Sequence, residues 1–249
     1  MPRAARTKSS SGIYHIMLRG INQQAIFHDE EDNKKFLKVL TDCKQISEFK
    51  LYAYCLMGNH VHLLIKEENE PLDLIFKRIG SRYVYWYNTK YKRVGHLFQD
   101  RYKSCAIESD EYFLSALRYI HKNPVKAGVV SDCKEYEYSS YNEYFGKSEL
   151  IDREFVLEMM SIQQFEDFHN SSDCYKHLEI EPARVRITDE EAQRIIKKLT
   201  GCNTVEDYQN LPLEKKKEFI TEFRKNHLSI RQISRLTGME KSLIQRQIN

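Results

Sequence analysis

No stretch of this chain approaches the roughly 20 consecutive apolar residues that a membrane-crossing helix needs, so a membrane-spanning protein is not expected. The basic N-terminus, Met1 to Lys8, leads into Ser9-Ser10-Ser11-Gly12 and not into the apolar core of a signal peptide, which points to a cytoplasmic protein. No Cys-x-x-Cys pair occurs among Cys43, Cys55, Cys105, Cys133, Cys174 and Cys202. A zinc site built on thiolates is therefore not indicated, and scattered, reduced core cysteines are the expectation. Internal repeats and low-complexity segments are also missing. The net charge is only +3, too small to name a partner by itself.

What is present fits a folded chain of one large domain, or a moderate domain with a small one: 249 residues, 41% of them hydrophobic and 12% aromatic. The charge is unevenly spread. Between Lys77 and Lys103 stand Lys77, Arg78, Arg82, Lys90, Lys92, Arg93, Arg101 and Lys103 against one acid, Asp100. Such a basic run, interleaved with Tyr83, Tyr85, Trp86, Tyr87 and Tyr91, suits a phosphate backbone with unstacked bases. It makes Arg78 and Arg82 candidate DNA contacts. The plainer account is a basic helix with an aromatic core face, since Tyr83, Trp86, Tyr87 and Tyr91 fall at helical spacing.

The apolar patterning predicts a strand from Ile13 to Leu18, ended by Arg19-Gly20, and a helix from Asp29 to Glu48 capped by Asp29. Leu51–Leu56 and His60–Lys66 read as two strands joined at Met57-Gly58-Asn59, an antiparallel hairpin. Pro71 opens a helical stretch to about Tyr91, and Phe98–Ile107 reads as extended. Ser109 caps a helix from Asp110 that Asn123-Pro124 should end, because the residue before proline is pushed out of helical geometry. The order β-α-β-β-α-β-α predicts an α+β fold: a ferredoxin-like (RRM-like) antiparallel sheet with packed helices. Residues 1–146 are expected to form this domain, 147–186 a helical connection, and 187–249 an all-α region. In that region Ser229–Leu236, the turn Thr237-Gly238-Met239 and Glu240–Ile248 have the pattern of a helix-turn-helix spanning 229–248.

Residues two apart on a strand share a face, so His60 and His62 can both reach one cation. Two ordinary histidines on a polar strand face would give the same pattern. Tyr119 and Asn123, four apart, share a helical face. A tyrosine can attack a phosphodiester once a metal polarises the phosphate, and an amide oxygen suits a hard divalent cation. Alternatively Tyr119 packs the helix on the sheet and Asn123 caps it. With 16 tyrosines in the chain, spacing does not choose between these.

Five stretches resemble a known family. They are Tyr14–Gly20 (Tyr-His-Ile-Met-Leu-Arg-Gly), Tyr54–Leu64 (Tyr-Cys-Leu-Met-Gly-Asn-His-Val-His-Leu-Leu), Gly95–Ser104 (Gly-His-Leu-Phe-Gln-Asp-Arg-Tyr-Lys-Ser), Arg118–Gly128 (Arg-Tyr-Ile-His-Lys-Asn-Pro-Val-Lys-Ala-Gly) and Tyr138–Tyr141 (Tyr-Ser-Ser-Tyr). In this order, over about residues 12–145, they are similar to the REP-associated tyrosine transposases, within the insertion-sequence-200-like single-tyrosine transposases of the His-hydrophobe-His superfamily. The resemblance implies His60 and His62 as metal ligands, Asn123 as the third ligand and Tyr119 as the nucleophile. It also implies Mg²⁺ or Mn²⁺, and a single-stranded, hairpin-bearing DNA substrate cut and rejoined through a 5′-phosphotyrosine. Arg101 and Lys103 would lie near DNA, with Arg19 and Asn22 as further contacts. His121, next to Tyr119, faces elsewhere on the helix and is not favoured as the activating base.

The C-terminal region goes beyond this resemblance. The phrase Ser-Ile-Arg-Gln-Ile-Ser-Arg (229–235) resembles the helix-turn-helix of replication initiator proteins, and helix-turn-helix elements read duplex DNA through the second helix. Lys241 and Arg246 could meet phosphate there, and Ser242 and Gln245 base edges; a small bundle for protein contact is the other account. Two further readings of the whole chain compete: a non-catalytic DNA-binding regulator acting through that unit, and a replication initiator of the same superfamily. The expected assembly is a monomer or a homodimer.

Overall fold

In the computed structural model, residues 7–171, 188–202, 204–226 and 228–248 are described. The chain divides into two units, Met1–Ile180 and Glu181–Asn249.

The first unit is organised by two central strands. β1 (Ile13–Arg19) is buried at all but its last position. It pairs antiparallel with β3 (His60–Lys66) on one side and with β4 (Lys103–Ile107) on the other. β2 (Lys50–Met57) closes the hairpin with β3, giving the order β2-β3-β1-β4, all antiparallel. β2 and β3 are buried at successive positions, so both faces of the sheet are covered, as their near-continuous apolar runs require. The extended segment is shorter than expected: Phe98 makes only an isolated bridge to Gly20, and β4 starts at Lys103.

α1 (Glu30–Ser47) starts at Asp29, whose side chain accepts from the Asp32 N–H while Asp32 returns the bond. Three acids in the first turn also suit the positive end of the helix dipole. α2 (Leu72–Lys90) packs on α1. Tyr83 and Tyr87 are buried in the core, with their hydroxyls donating to the Ile26 and Ala25 carbonyls at 2.6 and 3.1 Å. Their helical spacing therefore reflects packing. Tyr85 is the aromatic of this run that faces solvent.

α3 (Asp110–Lys126) is capped by Ser109 and lies on β2 and β3. It does not stop at Asn123: Pro124 sits inside it. A proline there removes one N–H near the end of a helix, and one more turn still forms. The Ala127 N–H bonds the Asn123 carbonyl, and Gly128 exits with positive φ.

The connection expected from residue 147 is part of this core. Leu150 and Ile151 are buried, as are Val156 of α4 (Glu154–Met159) and Phe165 of α5 (Ile162–Asn170). Phe165 stacks on Tyr144 with ring centroids 4.4 Å apart. The compositional change at Gly146 marks a switch from strands to short helices over the same core. Residues 172–186 of that stretch, and residue 187 of the next, lie outside the described residues.

The second unit contains α6 (Asp189–Thr200), α7 (Val205–Gln209), α8 (Leu213–Lys225), α9 (Ile230–Thr237) and α10 (Lys241–Ile248). They close around Ile196, Tyr208, Ile220, Phe223, Ile233, Met239 and Ile244. Gly238 turns α9 into α10 at φ +71, and a Cβ there would lie 2.9 Å from Val205 Cγ1. Glycine is required both by the left-handed backbone and by the close approach. Among the described residues, no helix is long and apolar enough to cross a membrane, and Cys43, Cys55, Cys105, Cys133 and Cys202 are free thiols. Cys174 lies outside the described residues.

Candidate active site

Strand pairing sets the position of the histidine pair. In the register, His60 lies between Arg19 of β1 and Met57 of β2, and His62 between Met17 and Cys55. The two imidazoles share a face, with centroids 5.0 Å apart and planes at 88°. α3 crosses this face. The Tyr119 ring stands edge-on to His62 at 5.6 Å, and Lys126 Nζ lies 5.5 Å from its centroid. Asn123, one helical turn on and buried, brings Oδ1 to 3.3 Å from His60 Nε2. The four residues singled out in the sequence thus meet at one place. Asn123 does not act as the cap that ends its helix.

Each histidine of the pair is held by Nδ1. His60 Nδ1 lies 2.6 Å from Asn59 Oδ1, and Asn59 is oriented by donating through Nδ2 to the Gln23 carbonyl at 3.2 Å. A carbonyl oxygen only accepts, so the proton of neutral His60 sits on Nδ1 and Nε2 is a lone pair. That lone pair faces the Asn123 Oδ1. A divalent cation fits this donor set of imidazole and amide. His62 Nδ1 lies 2.9 Å from His15 Nε2, so Nε2 is the ring nitrogen left for another contact. Burial lowers the pKa of His60 and of His15 to about 4, and that of His62 well below its usual value. All three are neutral at pH 7, the state in which imidazole coordinates metal. Among the described residues, no group of three His, Cys, Asp or Glu could hold a metal; the set here depends on an amide.

Two contributors were not singled out in the sequence, His15 and Asn59. His15 had a visible signal, a histidine in an apolar strand on the face of Met17 and Arg19. Reading it required the β1–β3 register. His121 points into the core, bonded to His169 Nε2 at 2.9 Å and Ser140 Oγ at 2.8 Å, away from Tyr119 as expected from the helix.

The candidate DNA contacts divide. Arg19 is the strand neighbour of His60 and is half-buried, and its Nε has no hydrogen-bond partner among the described residues. Asn22 is exposed beyond the end of β1 at φ 51. Arg101 and Lys103 are exposed at the start of β4. Arg78 instead makes a two-pronged pair with Glu70 at 2.5 and 2.9 Å and also bonds Ser47 of α1. Arg82 is exposed on the same helix. The helix that carries Arg78 and Arg82 packs on α1. In the second unit Lys241, Ser242, Gln245 and Arg246 are all exposed on α10.

Residues 8–123 match the family of IS200-like transposases. The chain is 31% identical over 106 residues to a REP-associated tyrosine transposase of Haemophilus influenzae, an overlap of 38% of this chain and 60% of that protein. It thus spans less than two thirds of that relative's length. A REP-associated tyrosine transposase solved bound to a REP hairpin has a TM-score of 0.51 at 17% identity, over 59% of this chain and 87% of the other. That likeness is one of fold. Over residues 8–123 the chain is similar to the IS200-like transposases.

Proposed function

We propose that the first unit cleaves and rejoins single-stranded DNA, with Tyr119 as nucleophile and His60, His62 and Asn123 as the ligands of one divalent cation. The convergence of His60 Nε2 and Asn123 Oδ1 at 3.3 Å, one helical turn from Tyr119, carries this reading. Bound there, Mg²⁺ or Mn²⁺ supplies charge stabilisation on the scissile phosphate. Tyr119 Oη attacks phosphorus, a 5′-phosphotyrosine bond forms, and the bond to the 3′ oxygen breaks. The phosphotyrosine conserves the bond energy, and a second 3′-OH reverses the reaction to rejoin a strand. Arg19 lies beside His60 and suits a phosphate oxygen; Asn22, Arg101 and Lys103 suit the flanking backbone. A hairpin is the substrate to try first, because a transposase of like fold was solved bound to one.

The β1-α1-β2-β3-α2-β4 order with β4-β1-β3-β2 pairing supports the reading of this unit as ferredoxin-like. In the second unit, α9, Gly238 and α10 suit a helix-turn-helix on duplex DNA, with Lys241 and Arg246 at phosphates and Ser242 and Gln245 at base edges. The setting is the cytoplasm, at the nucleoid. The test is incubation of the full chain with a hairpin-bearing single strand and Mn²⁺, followed by denaturing electrophoresis. A covalent protein–DNA adduct is expected with the wild type and none with Tyr119→Phe. An adduct that persists in Tyr119→Phe excludes Tyr119 as nucleophile.

A further inference from the structure

His60 and His62 are held by unlike partners. Asn59 Oδ1 can only accept, so it presets His60 with Nε2 open to a ligand. His62 Nδ1 instead meets His15 Nε2 at 2.9 Å, an atom that either donates or accepts. His15 is completely buried, and its second nitrogen, Nδ1, is buried with no hydrogen-bond partner among the described residues. The Tyr119 ring packs edge-on to His15 at 5.7 Å.

Two arrangements of the pair follow. In the first, His15 Nε2–H donates to His62 Nδ1. His62 then carries its proton on Nε2, which cannot ligate, and His15 Nδ1 is a bare lone pair. In the second, His62 Nδ1–H donates to His15 Nε2. His62 Nε2 is then open, and His15 carries a buried N–H with no acceptor. A buried orphan N–H is rarer in proteins than an under-used acceptor, so the first arrangement is the resting one. The usual outer partner of a metal-bound histidine is a carboxylate, a carbonyl or water, any of which would favour the open form. A second histidine presents either a donor or an acceptor, so it can serve both forms.

We infer that His15 is a positioning residue for His62, and that ligation through His62 Nε2 reverses the direction of the His15–His62 hydrogen bond. This rests on the reading of His62 as a metal ligand. The protons balance. The His62 Nε2 proton leaves to solvent, the proton between the rings moves from His15 Nε2 to His62 Nδ1, and one proton is taken up at His15 Nδ1. Both rings are neutral before and after.

The test uses the full chain. Long-range ¹H–¹⁵N spectra assign the histidine tautomers with and without Mg²⁺, and calorimetry measures Mn²⁺ binding for wild type, His15→Leu, His15→Gln and His60→Ala. In the wild type His62 should hold its proton on Nε2 without metal and on Nδ1 with it. His15→Leu should weaken Mn²⁺ binding by about 10–100-fold, the usual cost of losing an outer partner. His15→Gln, whose carbonyl can accept from His62 Nδ1, should recover it. The inference is overturned if His62 carries the Nδ1 proton before metal is added, if His15→Leu binds Mn²⁺ as the wild type does, or if His15→Gln is no better than His15→Leu. Should His15→Leu fail to fold, the wild-type spectra alone decide. Unchanged Mn²⁺ binding in His60→Ala would mark a different failure, that of the metal-site reading itself.

Discussion

His60 Nε2 and Asn123 Oδ1 face each other at 3.3 Å although 63 positions separate them in the chain. One is placed by the β1–β3–β2 register, the other by a helix that runs on through Pro124. With the His60 proton on Nδ1 beside Asn59 Oδ1, His60 Nε2 and the Asn123 amide offer two donor atoms to one cation. Asn123→Leu should therefore weaken Mn²⁺ binding by more than the roughly 10–100-fold typical of an outer-shell loss. Asn123→Asp, which keeps an oxygen and adds charge, should bind Mn²⁺ at least as tightly as wild type. Calorimetry on the two variants checks this.

The arginines should separate in DNA binding. Arg101→Ala should reduce affinity for a single strand and lower the slope of log K against log salt by about 0.7, the value of one phosphate contact. Arg78→Ala should leave that slope unchanged, because its guanidinium is engaged by Glu70 and Ser47. Its effect should appear as a lower unfolding midpoint instead.

Stability should fall with acid. Burial lowers the pKa of His169 to about 4, whereas in the unfolded chain it is near ~6.5. Between these values the unfolded state binds more protons, so stability rises with pH across the window. The contribution is complete above about pH 6.5 and lost as pH falls towards 4, on the order of 3 kcal/mol. His15 and His60, lowered to about 4 by burial, act with the same sign. Urea unfolding from pH 7 to pH 4 should show this decline, with a shallower slope in His169→Gln.

Gly238→Ala should destabilise the second unit by roughly 1–3 kcal/mol, combining a left-handed backbone penalty with overpacking against Val205 and Gln209. Hydrogen exchange should show faster opening of α9 and α10, with protection of β1 and β3 unchanged.

Much of this was legible in the sequence. The strands, the Asp29 and Ser109 caps and the hairpin through Gly58 follow from periodicity and turn chemistry. The same-face pairs His60/His62 and Tyr119/Asn123 follow from strand and helix periods. Long-range pairing was not legible. The contact of His15 with His62 needs the β1–β3 register, and the pairing of Arg78 with Glu70 and Ser47 is visible only once α2 is folded. Pro124 misled because its cost falls on one hydrogen bond near a helix end. The change of composition at Gly146 hid a continuous core, because Phe165 meets Tyr144 only in three dimensions.

The proposed covalent link to DNA is at Tyr119. Mass spectrometry of the protease-digested adduct, formed by the full chain with a hairpin-bearing single strand and Mn²⁺, tests it most directly. The modified peptide should carry a 5′-linked nucleotide on Tyr119. A nucleotide mapped to any other side chain, or a wild-type chain that cuts this DNA without forming an adduct, would contradict it.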